Sequence, residues 1–186
     1  MEKSIKDFLR KYIAHSNHAS GVLGTCFSVV QYPKKALLIE EGQYARKAYY
    51  MISGAARSYY LQDGIEVCTW FAFEEDLLGN LQSYGGRPSS ESIQLLEDST
   101  LIEIRLEQLK KLAEKDLNAS HLVTGVLEEY ALFLEERLAH AQFMSSMDKY
   151  HALMEGEPEV FQRVSLTHIA SYLGISRETL SRLRAK

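Results

Sequence analysis

The hydrophobic period of this 186-residue chain changes once, near Leu106, so the fold must combine two kinds of layer. Before that point, short runs rich in β-branched and aromatic residues recur at turn spacing: 27–32, 36–39, 49–52, 55–61, 65–73, 92–96 and 101–104. Pro33, Gly42, Gly54, Asp63-Gly64 and Gly85-Gly86 punctuate them, and Gly79 closes a further strand–turn unit. Asp63-Gly64, set between Tyr59-Tyr60-Leu61 and the run from Ile65 to Trp70, is the strongest hairpin signal in the chain. Strands this short and regular close naturally as an antiparallel barrel or jelly-roll sandwich. Beyond Leu106 the period is 3.6, and the expected class is α+β.

The C-terminal end of the helical part is the most specific segment. Ser165 can cap a helix carrying Ile169, Tyr172 and Leu173 at i, i+3, i+4 spacing. Gly174 ends it, Ser176 offers a second cap, and Thr179, Leu180 and Leu183 carry another helix to the chain end. Two short helices joined by about three residues predict a helix-turn-helix. Arg177, Glu178 and Arg182 avoid the Leu180/Leu183 stripe and occupy the positions from which a recognition helix presents side chains to base edges. Arginine can grip guanine with two bonds, and glutamate can accept from cytosine N4. A helical hairpin with a solvated charged face is the plain alternative.

Charge weighs against that alternative. Residues 163–186 hold Arg163, Arg177, Arg182, Arg184 and Lys186 against Glu178, a local +4 that leaves −8 elsewhere in a chain of net −4. A basic end on an acidic body is the footprint that phosphate binding requires.

Between barrel and C-terminal unit, Leu106, Leu109 and Leu112 predict a short helix, and a long one follows from about His121 to Met147 with Gly125 inside it. Val123, Val126, Tyr130 and Phe133 step like the seam of a two-stranded coiled coil, flanked by Glu128, Glu129, Glu135 and Glu136. Arg137 interrupts that seam, and Leu127, Leu134, Leu138 and Ala141 form a second stripe. A helix apolar on two sides can lie on the barrel with one and on a twin with the other. A homodimer through helix 121–147 is expected, since helix-turn-helix readers use two half-sites; burial at a domain interface alone is the other reading. Asp148 to Met154 predicts a further short helix, and Glu155-Gly-Glu-Pro-Glu159 a hinge before the helix-turn-helix.

Composition narrows the remaining classes. No stretch approaches the roughly 18 to 20 apolar residues of a membrane span, and Met1 to Lys11 is a charged amphipathic run without a signal-peptide core. The expected location is the cytoplasm, with no membrane partner. Cys26 and Cys68 are two isolated thiols with no Cys-x-x-Cys spacing. All six histidines (15, 18, 121, 140, 151 and 168) lie outside residues 19–120, so a metal-dependent enzyme built on the barrel lacks ligands. His15 and His18 alone are too few for a metal site, and heme ligation by Cys68 or Met51 is disfavoured. No Ser-His-Asp arrangement is recognisable, and the chain is not expected to be an enzyme.

Barrel, long helix and helix-turn-helix, in that order, resemble the cyclic-AMP receptor/fumarate-nitrate regulator (CRP/FNR) family from about residue 20 onward. The resemblance rests on Leu38-Ile39-Glu40-Glu41-Gly42-Gln43, Tyr49-Tyr50-Met51-Ile52-Ser53-Gly54 and residues 92–99, which look like segments of a cyclic-nucleotide-binding barrel. Most specific is Ile175-Ser176-Arg177-Glu178-Thr179-Leu180-Ser181-Arg182, similar to the family's recognition helix. It implies a homodimeric transcription regulator on a palindromic duplex, with RNA polymerase a further candidate partner. Residues 1–116 would form the sensor barrel, 117–147 the dimer helix and 148–186 the DNA-binding unit. Arg177, Glu178 and Arg182 would read bases while Thr167, Ser176 and Thr179 touch phosphates.

Two departures stand out. Where cyclic-AMP-binding members carry Gly-Glu and then Arg-Ser or Arg-Thr, this chain has Gly79-Asn80-Leu81 and then Pro88-Ser89-Ser90-Glu91-Ser92. Asn80 could still bond a ribose hydroxyl, but no arginine stands at Ser90, Arg87 falls three residues early, and Glu91 would repel a phosphate. The effector pocket is therefore expected at Gly79, Asn80, Leu81, Arg87, Ser89 and Ser90, with weak or absent cyclic-nucleotide binding and a different small effector in its place. The second departure is at the end, where Lys186 follows the recognition helix directly and the family's β-hairpin wing is expected to be missing. A small-molecule sensor that signals through protein contacts, with a vestigial DNA-binding end, is the alternative function.

Overall fold

The computed structural model describes residues 3–13 and 21–184. His15, His18, Lys186 and the side chains of His140 and Ala141 lie outside the described residues.

The strand runs form two four-stranded antiparallel sheets facing one another, the jelly-roll closure expected. In the first, β1 (Phe27–Tyr32) pairs with β8 (Ser99–Arg105), which pairs with β3 (Lys47–Ser53), which pairs with the two-residue β6 (Leu77–Leu78). In the second, β2 (Leu37–Ile39), β7 (Ser92–Leu95), β4 (Ala56–Gln62) and β5 (Ile65–Ala72) follow in that order. The β4–β5 hairpin turns at Asp63 and Gly64, with φ of 53° and 80°. Two consecutive positive torsions give the mirror-image turn that matches strand twist. Between the sheets lie Ile39, Tyr49, Met51, Trp70, Leu78, Ile93, Leu95 and Leu101.

A register shift between Ser58 and Tyr59 inserts one extra residue in β5. Strand side chains alternate, so a one-residue bulge reverses which face the following residues occupy. Trp70 and Ala72 therefore point into the sandwich, while Cys68 before the bulge and Phe71 after it both point outward. That outward patch is where the C-terminal helices dock.

Helix α1 (Lys3–Tyr12) buries Ile5, Phe8 and Leu9 against β1, β8 and the start of the long helix. After the short α2 (Leu81–Tyr84), α3 (Leu106–Ala113) follows β8 directly and buries Leu106 and Leu109. The long helix α4 spans Leu117–Phe143, beginning earlier and ending sooner than the sequence pattern suggests. Gly125 sits where Tyr12 of α1 crosses it, and a Cβ there would lie 2.9 Å from the Tyr12 ring. Tyr12 also donates to Glu129 at 2.6 Å, and Lys11 pairs with the same carboxylate at 2.8 Å.

The expected dimer seam is corrected by this packing. Val123 and Val126 pack on the body of the protein, and Tyr130 and Phe133 follow them, Phe133 meeting Trp70 edge-on at 6.5 Å. The side of α4 left open carries Leu132, Leu138 and Phe143. Both apolar stripes were visible in the sequence, but which of them meets the barrel was not.

Chain then turns at Ser145, whose hydroxyl and the Asp148 carboxylate cap each other's backbone to start α5 (Ser146–Gly156). The four-residue α6 (Val160–Arg163), α7 (Leu166–Leu173) and α8 (Arg177–Arg184) complete the fold. No helix among the described residues is long and apolar enough to cross a membrane.

Candidate nucleic-acid interface and barrel cavity

Local capping builds the helix-turn-helix as the sequence suggests. The Ser165 hydroxyl accepts from the His168 N–H, and the Ser176 hydroxyl accepts from the Thr179 N–H at 3.1 Å. Gly174 takes φ of 68°, and the Ile175 N–H reaches back to the Ala170 carbonyl, a glycine-terminated helix end. Ile169, Leu173 and Leu180 are fully buried with Val160 and Val164 between α6, α7 and α8. Tyr172, the remaining member of the expected stripe, packs against the same core by lying on Phe71 of the barrel, with ring centroids 5.4 Å apart.

Burying Leu180 fixes which face of α8 is left to solvent. Arg177, Glu178, Ser181 and Arg182 are exposed, and Arg182 is steadied by the Thr179 hydroxyl and the Glu178 carbonyl. Thr167 and Ser176 are also exposed, and Thr179 is half-buried. The Glu178 carboxyl sits below its ordinary range because it caps the first turn beside Ser176 and Arg177. The three expected base readers thus share one open face.

Arg163 requires a correction to the charge argument. It does not face outward with the other arginines. Its guanidinium contacts Glu74 at 2.7 Å, Glu159 at 2.8 Å, Glu97, and the Gly54 carbonyl at 2.7 Å, and it stacks on Phe73. Glu74 is held down to about 2, chiefly by the Arg163 hydrogen bond. Among the described residues, Arg177, Arg182 and Arg184 remain as the basic surface of this unit.

The C-terminal helical unit is docked on the barrel. Ser171 of α7 accepts from the Cys68 N–H at 3.0 Å and donates to the Glu66 carbonyl at 3.1 Å, stitching the helix to β5. Arg57, buried beneath, is held by Glu66 at 2.6 Å, by Gln94 and by the Cys68 sulfur. No sequence signal marks this contact, because Arg57 and Ser171 reveal themselves only once β5 and α7 meet.

The six residues of the expected effector pocket do not form one site. Asn80 is not available to a ribose: its carbonyl oxygen caps Ser83 of α2, and its amide donates to Ser89 at 2.7 Å. Ser89 is buried and donates onward to the Glu91 carbonyl. Arg87 and Ser90 are exposed. Only Gly79, Asn80 and Leu81 line a cavity, of about 260 Å³, between α4 and the β6–α2 segment. Its wall is largely apolar and includes Trp70, Leu78, Val126 and Tyr130.

A cyclic nucleotide does not fit these groups. Glu91, 9% exposed, places its carboxylate among Ser58, Thr69 and Trp70, which all donate to it, at 2.6, 3.1 and 3.4 Å. A buried carboxylate in the barrel opposes a phosphate, and a buried phosphate needs a charge-assisted partner that Arg87 does not bring.

Comparison with known proteins agrees with the architecture. The cyclic nucleotide-binding domain family matches residues 29–116. FixK2 from Bradyrhizobium japonicum is 20% identical, with a TM-score of 0.69 over 86% of this chain and 83% of that one. The c-di-GMP responsive global regulator CLP of Xanthomonas campestris is 22% identical, with a TM-score of 0.65 over 87% and 88%. Catabolite activator protein from Thermus thermophilus is 20% identical, with a TM-score of 0.57 over 96% and 85%. No curated protein matches significantly. Residues 29–116 therefore match the cyclic nucleotide-binding domain family, and the chain shares the α+β fold of FixK2, CLP and catabolite activator protein.

Proposed function

We propose that this chain, which has the CRP/FNR fold, is an effector-responsive transcription regulator that binds palindromic DNA as a homodimer and carries out no catalysis. The observation that carries the reading is the open face of α8, where Arg177, Glu178 and Arg182 stand together on a helix whose opposite face is buried. Thr167, Ser176 and Thr179 flank that face as phosphate contacts. Residues 1–116 act as sensor, 117–147 as dimer helix and 148–186 as DNA-binding unit. The fold of FixK2 and CLP supports this division of labour.

Arginine–guanine pairs are worth about 1–3 kcal/mol of discrimination each. Anisotropy titration of the full chain against duplexes selected from a random pool tests the reading. A selected palindrome is expected to bind at least about a thousandfold tighter than random duplex. Arg177→Ala and Arg182→Ala should each weaken it by roughly 5- to 150-fold and relax base preference. Equal affinity for selected and random duplex at moderate salt sinks the proposal.

A further inference from the structure

The cavity between α4 and the β6–α2 segment has a chemistry of its own. Its walls are mainly apolar, and Ser83 of α2 lines it. Ser83 is 5% exposed, and its hydroxyl has no hydrogen-bond partner among the described residues. An orphaned buried hydroxyl is costly, and a water filling that role needs two to four polar partners.

Charge in the lining decides the ligand class. Lys47 is its one cation among the described residues, and it is taken by Glu103 at 2.8 Å. Asp76, Glu129 and Glu157 also line the space, Asp76 bonded to the Phe73 N–H and Glu129 to Lys11 and Tyr12. An anion entering here meets carboxylates and no free counter-charge. A cation meets no carboxylate that is both buried and unengaged. Apolar cavities of about 150 Å³ take up benzene, so about 260 Å³ accommodates a ring with a short substituent.

We propose that this cavity binds a neutral, mainly apolar small molecule bearing one hydrogen-bonding group, with the Ser83 hydroxyl as its polar anchor. The assignment rests on the effector-responsive reading above and names the effector's class: an uncharged compound in place of a cyclic nucleotide. Because α4 forms one wall and α2 another, a ligand that fills the space favours whichever position of α4 best encloses it.

Trp70, the sole tryptophan, lines the cavity and reports on it directly. Heavy-atom quenching of its fluorescence in the full chain separates the alternatives, with 3-bromobenzyl alcohol, bromobenzene and 3-bromobenzoate as probes and cyclic AMP as a competitor read by displacement of the alcohol. Saturable quenching by the alcohol is expected, at least about fivefold tighter than by the benzoate, with cyclic AMP failing to displace it at millimolar concentration. Ser83→Ala should weaken the alcohol by roughly 2- to 12-fold, the worth of one net hydrogen bond, and leave bromobenzene within about twofold. Val126→Phe, which fills the space, should abolish saturation while circular dichroism stays unchanged. The proposal is overturned if the benzoate saturates as tightly as the alcohol, if cyclic AMP displaces the alcohol, if Ser83→Ala affects bromobenzene equally, or if no probe saturates. Operator binding, measured on the same preparation, separates the two readings: DNA binding without probe binding removes the ligand class alone, and probe binding without DNA binding removes the regulator reading.

Discussion

Gly54 holds two layers together through one backbone torsion. Its φ of 127° is open to glycine, and a Cβ there would collide with the Ser99 side chain. Its N–H donates to Glu74 at 2.8 Å and its carbonyl accepts from Arg163, so the turn between β3 and β4 also receives α6. Gly54→Ala combines strain with a displaced Ser99 and should cost about 3 kcal/mol. The thermal midpoint is expected to fall by roughly 6–12 °C, and an unmoved midpoint contradicts the clamp. Arg163→Ala strips three carboxylates of their shared cation. Glu74, Glu97 and Glu159 stay partly open to water, so the loss should be about 1–3 kcal/mol in urea unfolding. In the Glu74→Gln/Glu97→Gln background the same substitution should cost much less, and additive costs dismiss the cluster. In the sequence Arg163 reads as one more cation of the DNA-binding end. Glu159 is local, four residues before it, but Glu97 and Glu74 lie 66 and 89 residues away, and such pairing leaves no local trace. Asn80 misleads for the opposite reason: its local role, capping α2, is legible, and that role removes it from any ligand.

Elements with their own period declare themselves, and shorter ones do not. β1 matches its expected bounds, and the β4–β5 hairpin turns at Asp63-Gly64 as the sequence indicates. β6 and α6, of two and four residues, are too short to show a period. α4 fails differently, because two apolar stripes leave its orientation to tertiary packing. The docking of α7 on β5 carries a pH dependence through His168. Burial, then the positive charge of Arg57, lowers its pKa, with Glu66 opposing. A base whose pKa is lowered on folding contributes stability that is complete above its unfolded value, about 6.5, and is lost as pH falls through the folded value. Acidification below about pH 6.5 should therefore loosen α7, and Glu74, held at about 2, should keep its own contact with Arg163 until the pH is far lower. Hydrogen exchange of α7 amides between pH 7.5 and about 5 is the measurement, with His168→Gln expected to flatten the profile. Acceleration of equal size in that variant assigns the effect elsewhere.

At the scale of the whole molecule, the order of barrel, long helix and helix-turn-helix follows from periodicity, while the docking of the last on the first does not. Consequences for DNA binding follow from what remains exposed. With Val123, Val126 and Tyr130 packed on the body and Phe133 against Trp70, a twin helix is left the other stripe. Of that stripe Leu127 lines the cavity, but Leu134 and Leu138, with Ala131 before them, step by 3 and 4 along α4, and Leu138 is 57% exposed. That spacing is a coiled-coil seam. Leu138→Glu sets like charges against each other across it and should give a monomer in sedimentation velocity. Helix α8 of each protomer offers Arg177, Arg182 and Arg184 as its cations, so a single half-site should bind weakly. Tight binding then depends on linking two half-sites, which multiplies affinity by about 10²–10⁴ without any new contact. Affinity for a palindrome should fall by that factor in Leu138→Glu, while affinity for an isolated half-site is unchanged because the α8 face is intact. A variant that stays dimeric, or that loses half-site and palindrome binding in equal measure, would place the dimer interface elsewhere than on this stripe.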